Sequence, residues 1–183
     1  MGKQETDAEN IVERVMQNPE LLFELLDGIA STKAKERFGS AKILRTISER
    51  NPRVLYSNWD FFVKLLENKN RILKWIVIDI IANLTAVDSQ NLFDSLFKNF
   101  YGCLYEGNLI TAAHVVDNSG KIALAKPELQ DKITKELLNG EKIPVPTKEC
   151  RNILIGKTIE TFQVYYDKIK DKNSGIICKT AVT

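Results

Sequence analysis

Apolar residues recur along most of the chain at intervals of three and four, the spacing that places them on one face of an α-helix. Few segments alternate with a period of two, so the pattern predicts an all-α fold with no sheet. The clearest stripes are Phe38, Ala41, Leu44 and Ile47; Leu92, Leu96, Phe100 and Cys103; Leu129, Ile133 and Leu137; and Ile153, Ile159, Phe162 and Tyr166.

Regular stop and start signals separate these stripes. Asn18-Pro19, Asn51-Pro52 and Lys126-Pro127 each follow one apolar stripe and precede the next. Proline is tolerated in the first turn of a helix, where its missing N–H would have no partner in any case. Asp88 and Thr147 stand where a side-chain oxygen can cap the helix that follows. The signals therefore predict short turns between successive helices.

The chain also repeats itself when it is shifted by 37 or 38 residues. One column of that alignment is apolar throughout and contains Ile47, Leu84, Ile122 and Ile159. A period of this length predicts stacked helix pairs that bury a continuous core. The predicted pairs are residues 8–30, 33–68, 70–106 and 108–139, followed by a closing helix at 147–169.

These elements predict one helical-repeat domain over residues 1–170, an α-α superhelix, with a flexible tail at 171–183. A compact helical bundle is the alternative architecture. The predicted core residues are Leu44, Ile47, Trp75, Ile81, Leu84, Leu96, Phe100, Ile122, Ile133, Leu137 and Ile159.

The helix at residues 72–84 reads Ile-Leu-Lys-Trp-Ile-Val-Ile-Asp-Ile-Ile-Ala-Asn-Leu. With the repeat length, it makes residues 8–170 resemble the HEAT/armadillo-like family of helical repeats. Asp79 and Asp117 match the aspartate of that family, whereas Thr85 and Ala123 stand where the family has a basic residue. The resemblance implies a scaffold or adaptor that binds another protein, although a fold alone does not establish function.

Composition and charge narrow the classes of partner. Hydrophobic residues make up 44% of the chain and charged residues 27%, with a net charge of +2, so the whole chain is no polycation. Residues 1–32 nevertheless carry a net −5 and residues 33–75 a net +7. A basic patch in the second segment would favour nucleic acid, and it would need Lys33, Lys35, Arg37, Lys42, Arg45, Arg50 and Arg53 on one face.

Three widely spaced cysteines, Cys103, Cys150 and Cys178, favour neither a disulfide framework nor a zinc site. The longest apolar run, at residues 75–82, is interrupted by Asp79 and is too short to span a bilayer. The polar N-terminus has no secretory signal. We expect a cytoplasmic protein with no disulfide, no metal, no cofactor and no membrane partner; its oligomeric state stays open.

Two groups of residues could carry chemistry. His114 lies three residues before Asp117, which could form an acid–base pair or half of a metal site. Trp75, Asp79 and Asn83 follow one another at intervals of four residues. They bring together a carboxylate and an aromatic ring, a combination that HEAT-like DNA glycosylases for alkylated bases also have. We interpret both groups as structural. No phosphate-loop, dinucleotide, zinc-hydrolase or serine-hydrolase motif occurs in the chain.

A row of side chains just outside the predicted core arc marks the expected binding face. On the helix at 88–106 the row is Asp94, Lys98, Tyr101 and Tyr105; a shift of 37 residues gives Asp131, Lys135 and Leu138 forward, and Ser57, Phe61, Lys64 and Asn68 back. In HEAT-like arrays the second helices of the pairs line the concave side. The alternative is that these residues pack between neighbouring helices. The predicted partner-binding residues are Phe61, Lys64, Lys98, Tyr101, Tyr105 and Lys135.

The pattern therefore favours a non-enzymatic protein–protein interaction module whose partner docks on the second helices. A nucleic-acid-binding HEAT-like protein, connected with DNA-base repair, is the main alternative, and a small-molecule or enzymatic role is a third.

Overall fold

The computed structural model describes the backbone of residues 2–177 and the side chains of residues 10–166, and all regular structure in it is helical. The predicted all-α class is confirmed. The ten α-helices of this part are α1 (Gly2–Gln17), α2 (Pro19–Ala30), α3 (Ala34–Arg50), α4 (Arg53–Tyr56), α5 (Trp59–Leu66), α6 (Arg71–Leu84), α7 (Leu92–Gly102), α8 (Leu109–Ala125), α9 (Gln130–Leu138) and α10 (Lys148–Ile177).

Short 3-10 helices tighten the ends of several of these helices, at Thr85–Val87, Cys103–Tyr105, Pro127–Leu129 and Asn139–Lys142. The predicted helix at the end of the second pair is interrupted, since α4 ends at Tyr56 and α5 begins at Trp59. The closing helix does not end near residue 169 but continues to Ile177, so that most of the predicted tail is helical backbone. The remainder of that tail, residues 178–183, lies outside the described residues, and Cys178 with it.

Asparagine and threonine side chains cap the N-termini of three of the long helices, α6, α8 and α10. Asn70 Oδ1 accepts a hydrogen bond from Leu73 N at 3.2 Å, and Asn108 Oδ1 accepts one from Thr111 N at 2.9 Å. Thr147 Oγ1 does the same at the start of α10. Each bond satisfies an N–H group of the first turn, which has no partner inside the helix.

Asp88 is the predicted cap of α7 and is buried. Its two carboxylate oxygens accept hydrogen bonds from Leu92 N at 2.9 Å and Phe93 N at 3.0 Å. The Tyr56 hydroxyl also donates to Asp88 at 2.7 Å. Burial makes the largest contribution to raising the pKa of Tyr56, and the hydrogen bond to the Asp88 carboxylate raises it further. The turn before α7 is thereby fixed to α4.

The helices begin at the spacing of the sequence repeat. Ala34, Arg71, Leu109 and Lys148 are the first residues of α3, α6, α8 and α10, which we call the first helices, and they are separated by 37, 38 and 39 residues. Each start lies one residue after the start that the sequence pattern predicts. The residue before each start provides the cap or the turn, which explains the offset of one.

The contacts divide the chain into two compact units between Phe100 and Tyr101. In unit 1, α3 contacts α1, α2, α4 and α6, and α5 packs on α6. The core prediction is confirmed for six residues and wrong for Trp75, which is only half-buried. The six are Leu44, Ile47, Ile81, Leu84, Leu96 and Phe100.

In unit 2, α8 contacts α9, α10 and the 3-10 helix Cys103–Tyr105. Ile122, Ile133 and Leu137 are buried as predicted. Ile159 is not: it belongs to the same repeat column as Ile47, Leu84 and Ile122 but is 54% exposed. The side of α10 that contacts α8 carries Thr161, whose hydroxyl donates to the Val116 carbonyl at 2.9 Å. Ile159 lies on another side of α10.

Ion pairs join first helices within each unit. Arg45 of α3 lies 3.1 Å from the Asp79 carboxylate of α6. Lys157 of α10 lies 2.6 Å from the Asp117 carboxylate of α8. The two aspartates occupy the same position of the repeat, so contacts between neighbouring first helices recur in both units.

Candidate partner-binding surface

The second helices α5, α7 and α9 share a charge pattern. Each has an aspartate in its first turn and a lysine four residues later: Asp60 and Lys64, Asp94 and Lys98, Asp131 and Lys135. All six side chains are exposed. An acidic side chain near the N-terminus of a helix interacts favourably with the helix dipole. An acidic residue four positions before a basic one stabilises a helix by a few tenths of a kcal/mol.

In unit 1 the predicted site residues are Phe61, Lys64 and Lys98. Lys64 and Lys98 are exposed, on α5 and α7 respectively. Phe61 is half-buried, with its ring 5.5 Å from the ring of Phe62 in an edge-to-face arrangement. Phe62 is fully buried, so it holds Phe61 in place while part of the Phe61 ring stays open to solvent.

In unit 2 the predicted residues Tyr105 and Lys135 are exposed, Tyr105 by 40%. The Tyr105 hydroxyl donates to a carboxylate oxygen of Glu136 at 3.4 Å. Burial of the ring and the negative charge of Glu136 raise the pKa of Tyr105, so the hydroxyl stays a neutral donor. Tyr105 and Glu136 therefore meet at the surface of unit 2, and the exposed Lys135 is the neighbour of Glu136 in the chain.

Tyr101 was predicted to be accessible, and that prediction is wrong. Its side chain is only 2% exposed, and its hydroxyl donates to Ser119 Oγ of α8 at 3.0 Å. On the helical wheel of α7, Tyr101 stands at the edge of the apolar arc, next to Phe97. Its bond to α8 shows that the tyrosine is packed inside unit 2. Burial raises its pKa strongly.

The two groups with potential chemistry have structural partners. Asp79 is buried and pairs with Arg45, while Asp117 pairs with Lys157. His114 is half-buried, and its backbone carbonyl accepts from Asn118 Nδ2 at 2.9 Å. In the range whose side chains are described, no three His, Cys, Asp or Glu side chains cluster in a way that could hold a metal ion.

Part of the basic segment at 33–75 also serves the fold. The Arg37 guanidinium donates to the carbonyls of Ser31 and Thr32 at 2.9 and 3.3 Å and lies 5.0 Å from the centre of the Phe38 ring. Arg45 pairs with Glu49 as well as with Asp79. Two of the seven basic side chains needed for the nucleic-acid interpretation are thus engaged inside unit 1.

A groove of about 320 Å³ lies between α1, α2 and α3 in unit 1. The sequence pattern did not indicate it, because its walls come from three helices. The lining is mixed in character: Ile11, Val15, Leu21, Leu25 and Ile43 with Arg14, Glu24, Glu36 and Ser40. Ser31 Oγ donates to a Glu36 carboxylate oxygen at 2.7 Å, so part of this polar lining stabilises the turn before α3.

Comparison of the chain with protein-family models, with curated proteins and with solved structures gives no significant match. None of the helices described between residues 2 and 177 combines the length and the apolar character that a membrane crossing requires.

Proposed function

We propose that the chain is a non-enzymatic protein-interaction module, built as a HEAT-like stack of helix pairs, that binds a protein partner along its second helices. The contacts within each unit support the stacking. First helix α3 contacts first helix α6, and α8 contacts α10, although a second helix lies between them in the chain. Such contacts, at a repeat of 37 to 39 residues, are typical of stacked helix pairs.

The repeated aspartate–lysine pair on the second helices carries the binding proposal. Lys98 and Lys135 are equivalent in the 37-residue repeat, whereas Lys64 lies three residues after the equivalent position, which is Phe61. All three lysines are exposed on second helices. Phe61 and Tyr105 add aromatic surface to the row, and rigid aromatic side chains contribute contact area at small entropic cost. We name this set, Phe61, Lys64, Lys98, Tyr105 and Lys135, the second-helix row; Tyr101 is excluded because it is buried.

Charge reversal tests this proposal. We expect the triple variant Lys64→Glu, Lys98→Glu, Lys135→Glu to keep its melting temperature within about 3 °C, because exposed charges contribute little to stability. The same variant should lose the partner that the native chain captures from its own cells. The measurement is affinity capture with quantitative mass spectrometry, in parallel with thermal melting.

The matched control is Lys42→Glu, Lys69→Glu, Lys132→Glu, which changes the net charge equally at exposed positions outside the row. It should keep the partner. If both triple variants capture the same proteins as the native chain, the second-helix row is not the binding surface. If both lose them, net charge and not the row controls binding.

A further inference from the structure

A second concave surface lies at the other end of the chain, between α9 and α10. Its volume is about 250 Å³, and Leu137, Leu138, Gly140, Glu141, Leu154, Ile155, Thr158, Ile159 and Phe162 line it. We call it the α9–α10 groove. All but three of these residues are apolar, and the lining belongs entirely to unit 2. Leu138 is 67% exposed, and Ile155 and Ile159 are exposed as well.

The walls of the groove are held by hydrogen bonds. The Arg151 guanidinium of α10 donates to the carbonyls of Gly140, Glu141 and Ile143 at 2.9, 2.8 and 3.3 Å, which ties the turn after α9 to α10. Further along, the hydroxyls of Thr134 and Tyr165 share a hydrogen bond of 2.8 Å. A groove fixed at both ends does not have to be ordered by its ligand.

The repeat indicates what such a groove holds. Ile47, Leu84, Ile122 and Ile159 form one column of the repeat, and the first three are completely buried. On α8 the second helix that follows, α9, packs against it, and Gln130 Nε2 at the start of α9 donates to the carbonyl of Ala123, the residue after Ile122, at 2.8 Å. On α10 the equivalent residue, Ile159, is exposed and lines the α9–α10 groove.

We infer that the α9–α10 groove binds an amphipathic α-helix of a partner protein, which lies on α10 as α9 lies on α8. The chemistry of that helix follows from α9 itself. Leu129, Ile133 and Leu137 recur every four residues and are buried, whereas Asp131 and Lys135 between them are exposed. The partner helix carries an apolar stripe at the same spacing and a polar outer face. The inference goes beyond the second-helix row and involves none of its residues.

A peptide with the sequence of residues 126–139 is the probe, because it contains α9, the amphipathic helix that packs on α8. Isolated helices of this length are marginal in water, so the probe has a lactam bridge between Lys132 and Glu136, four residues apart. Binding of the fluorescein-labelled peptide to the full chain is followed by fluorescence anisotropy. A peptide with Ile133→Asp, which breaks the apolar stripe, is the negative control.

The variant Ile159→Glu puts a charge into the groove, and we expect it to weaken peptide binding at least ~10-fold. Ile153→Glu is a matched control: Ile153 is 53% exposed on the same helix, against 54% for Ile159, but does not line the groove. It should change the dissociation constant by less than ~2-fold. Both variants place a carboxylate at an exposed site, so circular dichroism melting should show them equally folded.

Three results would overturn the inference. One is no saturable binding of the bridged peptide. The second is an equal affinity of the native chain and Ile159→Glu. The third is a native chain that dimerises in sedimentation velocity while Ile159→Glu is monomeric, since a second copy would then fill the groove. None of them affects the charge-reversal experiment on the second-helix row, so the two proposals can fail independently.

Discussion

An aspartate at the same position of the repeat takes part in the α3–α6 contact of unit 1 and in the α8–α10 contact of unit 2. Its electrostatic surroundings differ between the two units. Asp79 and Asp117 are equivalent in the repeat, and each pairs with a basic residue of a neighbouring first helix. The side chain of Asp79 is 6% exposed, and that of Asp117 is 47% exposed. One position can therefore hold a buried aspartate paired with a partly exposed arginine in one unit and an exposed aspartate in the other.

Buried serines show a second parallel between the two units. Ser48 Oγ of α3 accepts from Asn83 Nδ2 at 3.0 Å and donates to the Arg45 carbonyl. Ser119 Oγ of α8 accepts from the Tyr101 hydroxyl and donates to the Val115 carbonyl. In each unit a buried serine of a first helix thus bonds a polar side chain of a neighbouring helix. The two serines are not equivalent in the repeat, since Ser48 aligns with Ala123 and Ser119 with Leu44, so this similarity does not follow from the repeat.

The largest expected difference between the units concerns the ion pairs. Arg45→Ala should lower the free energy of unfolding by about 2 kcal/mol, because Asp79 stays buried after losing its arginine. Lys157→Ala should cost less than about 0.5 kcal/mol, since water replaces the lysine at Asp117. Urea denaturation of both variants measures the two values.

Arg45 also pairs with the exposed Glu49, and Glu49→Ala isolates that contribution. We expect it to be within about 0.5 kcal/mol of zero. If Arg45→Ala and Lys157→Ala lower the free energy of unfolding equally, burial of Asp79 does not make its ion pair more stabilising than that of Asp117.

A smaller effect is expected at Tyr101. Tyr101→Phe removes the hydrogen bond to Ser119 and should cost about 1 kcal/mol near neutral pH. Burial raises the pKa of Tyr101 and of Tyr165, so the folded chain keeps both protons above about pH 10, where an unfolded tyrosine loses its proton. Above that pH the unfolded state binds fewer protons, and stability falls as the pH rises.

Denaturation at about pH 8 and about pH 11 tests this sign. Tyr101→Phe should lose less stability between the two pH values than the native chain does. Tyr166→Phe, at an exposed position of α10, is the control and should behave like the native chain. A variant at Tyr101 that is as sensitive to alkali as the native chain would contradict the proposed role of the buried hydroxyl.

The smallest effect concerns the approach of α8 to α10. A Cβ atom added at Gly120 would lie 3.2 Å from Cβ and Cγ1 of Val164, tighter than ordinary contact. Alanine favours a helix over glycine by about 1 kcal/mol, but crowding of this kind costs about 1–3 kcal/mol. Gly120→Ala should therefore destabilise the chain by about 0.5 kcal/mol in total.

Gly156, in α10, is the matched control because nothing lies within 4 Å of an added Cβ there. Gly156→Ala should stabilise the chain by about 0.5–1 kcal/mol, the opposite sign. Thermal melting distinguishes the two. If both glycine variants are stabilising, α8 and α10 can separate at little cost, and the contact at Gly120 is not tight.

The binding row illustrates the limit of periodicity at the edge of a helix face. Lys98 and Tyr101 lie three residues apart on α7, and the pattern predicted that both would be accessible. Lys98 is exposed, but α8 covers Tyr101. A residue at the edge of an apolar arc is buried or exposed according to where the next helix lies, and that is not a property of the helix itself.

The sequence by itself determined the all-helical class, the starts of α3, α6, α8 and α10, and most of the core. These features depend on local capping and on a stripe of apolar side chains, which act within a few residues. Only the tertiary structure decided the ion pairs of Asp79 and Asp117, the burial of Tyr101 and the exposure of Ile159. Each of these depends on which helix, if any, packs against that side, and such contacts join residues 18 to 40 positions apart in the chain.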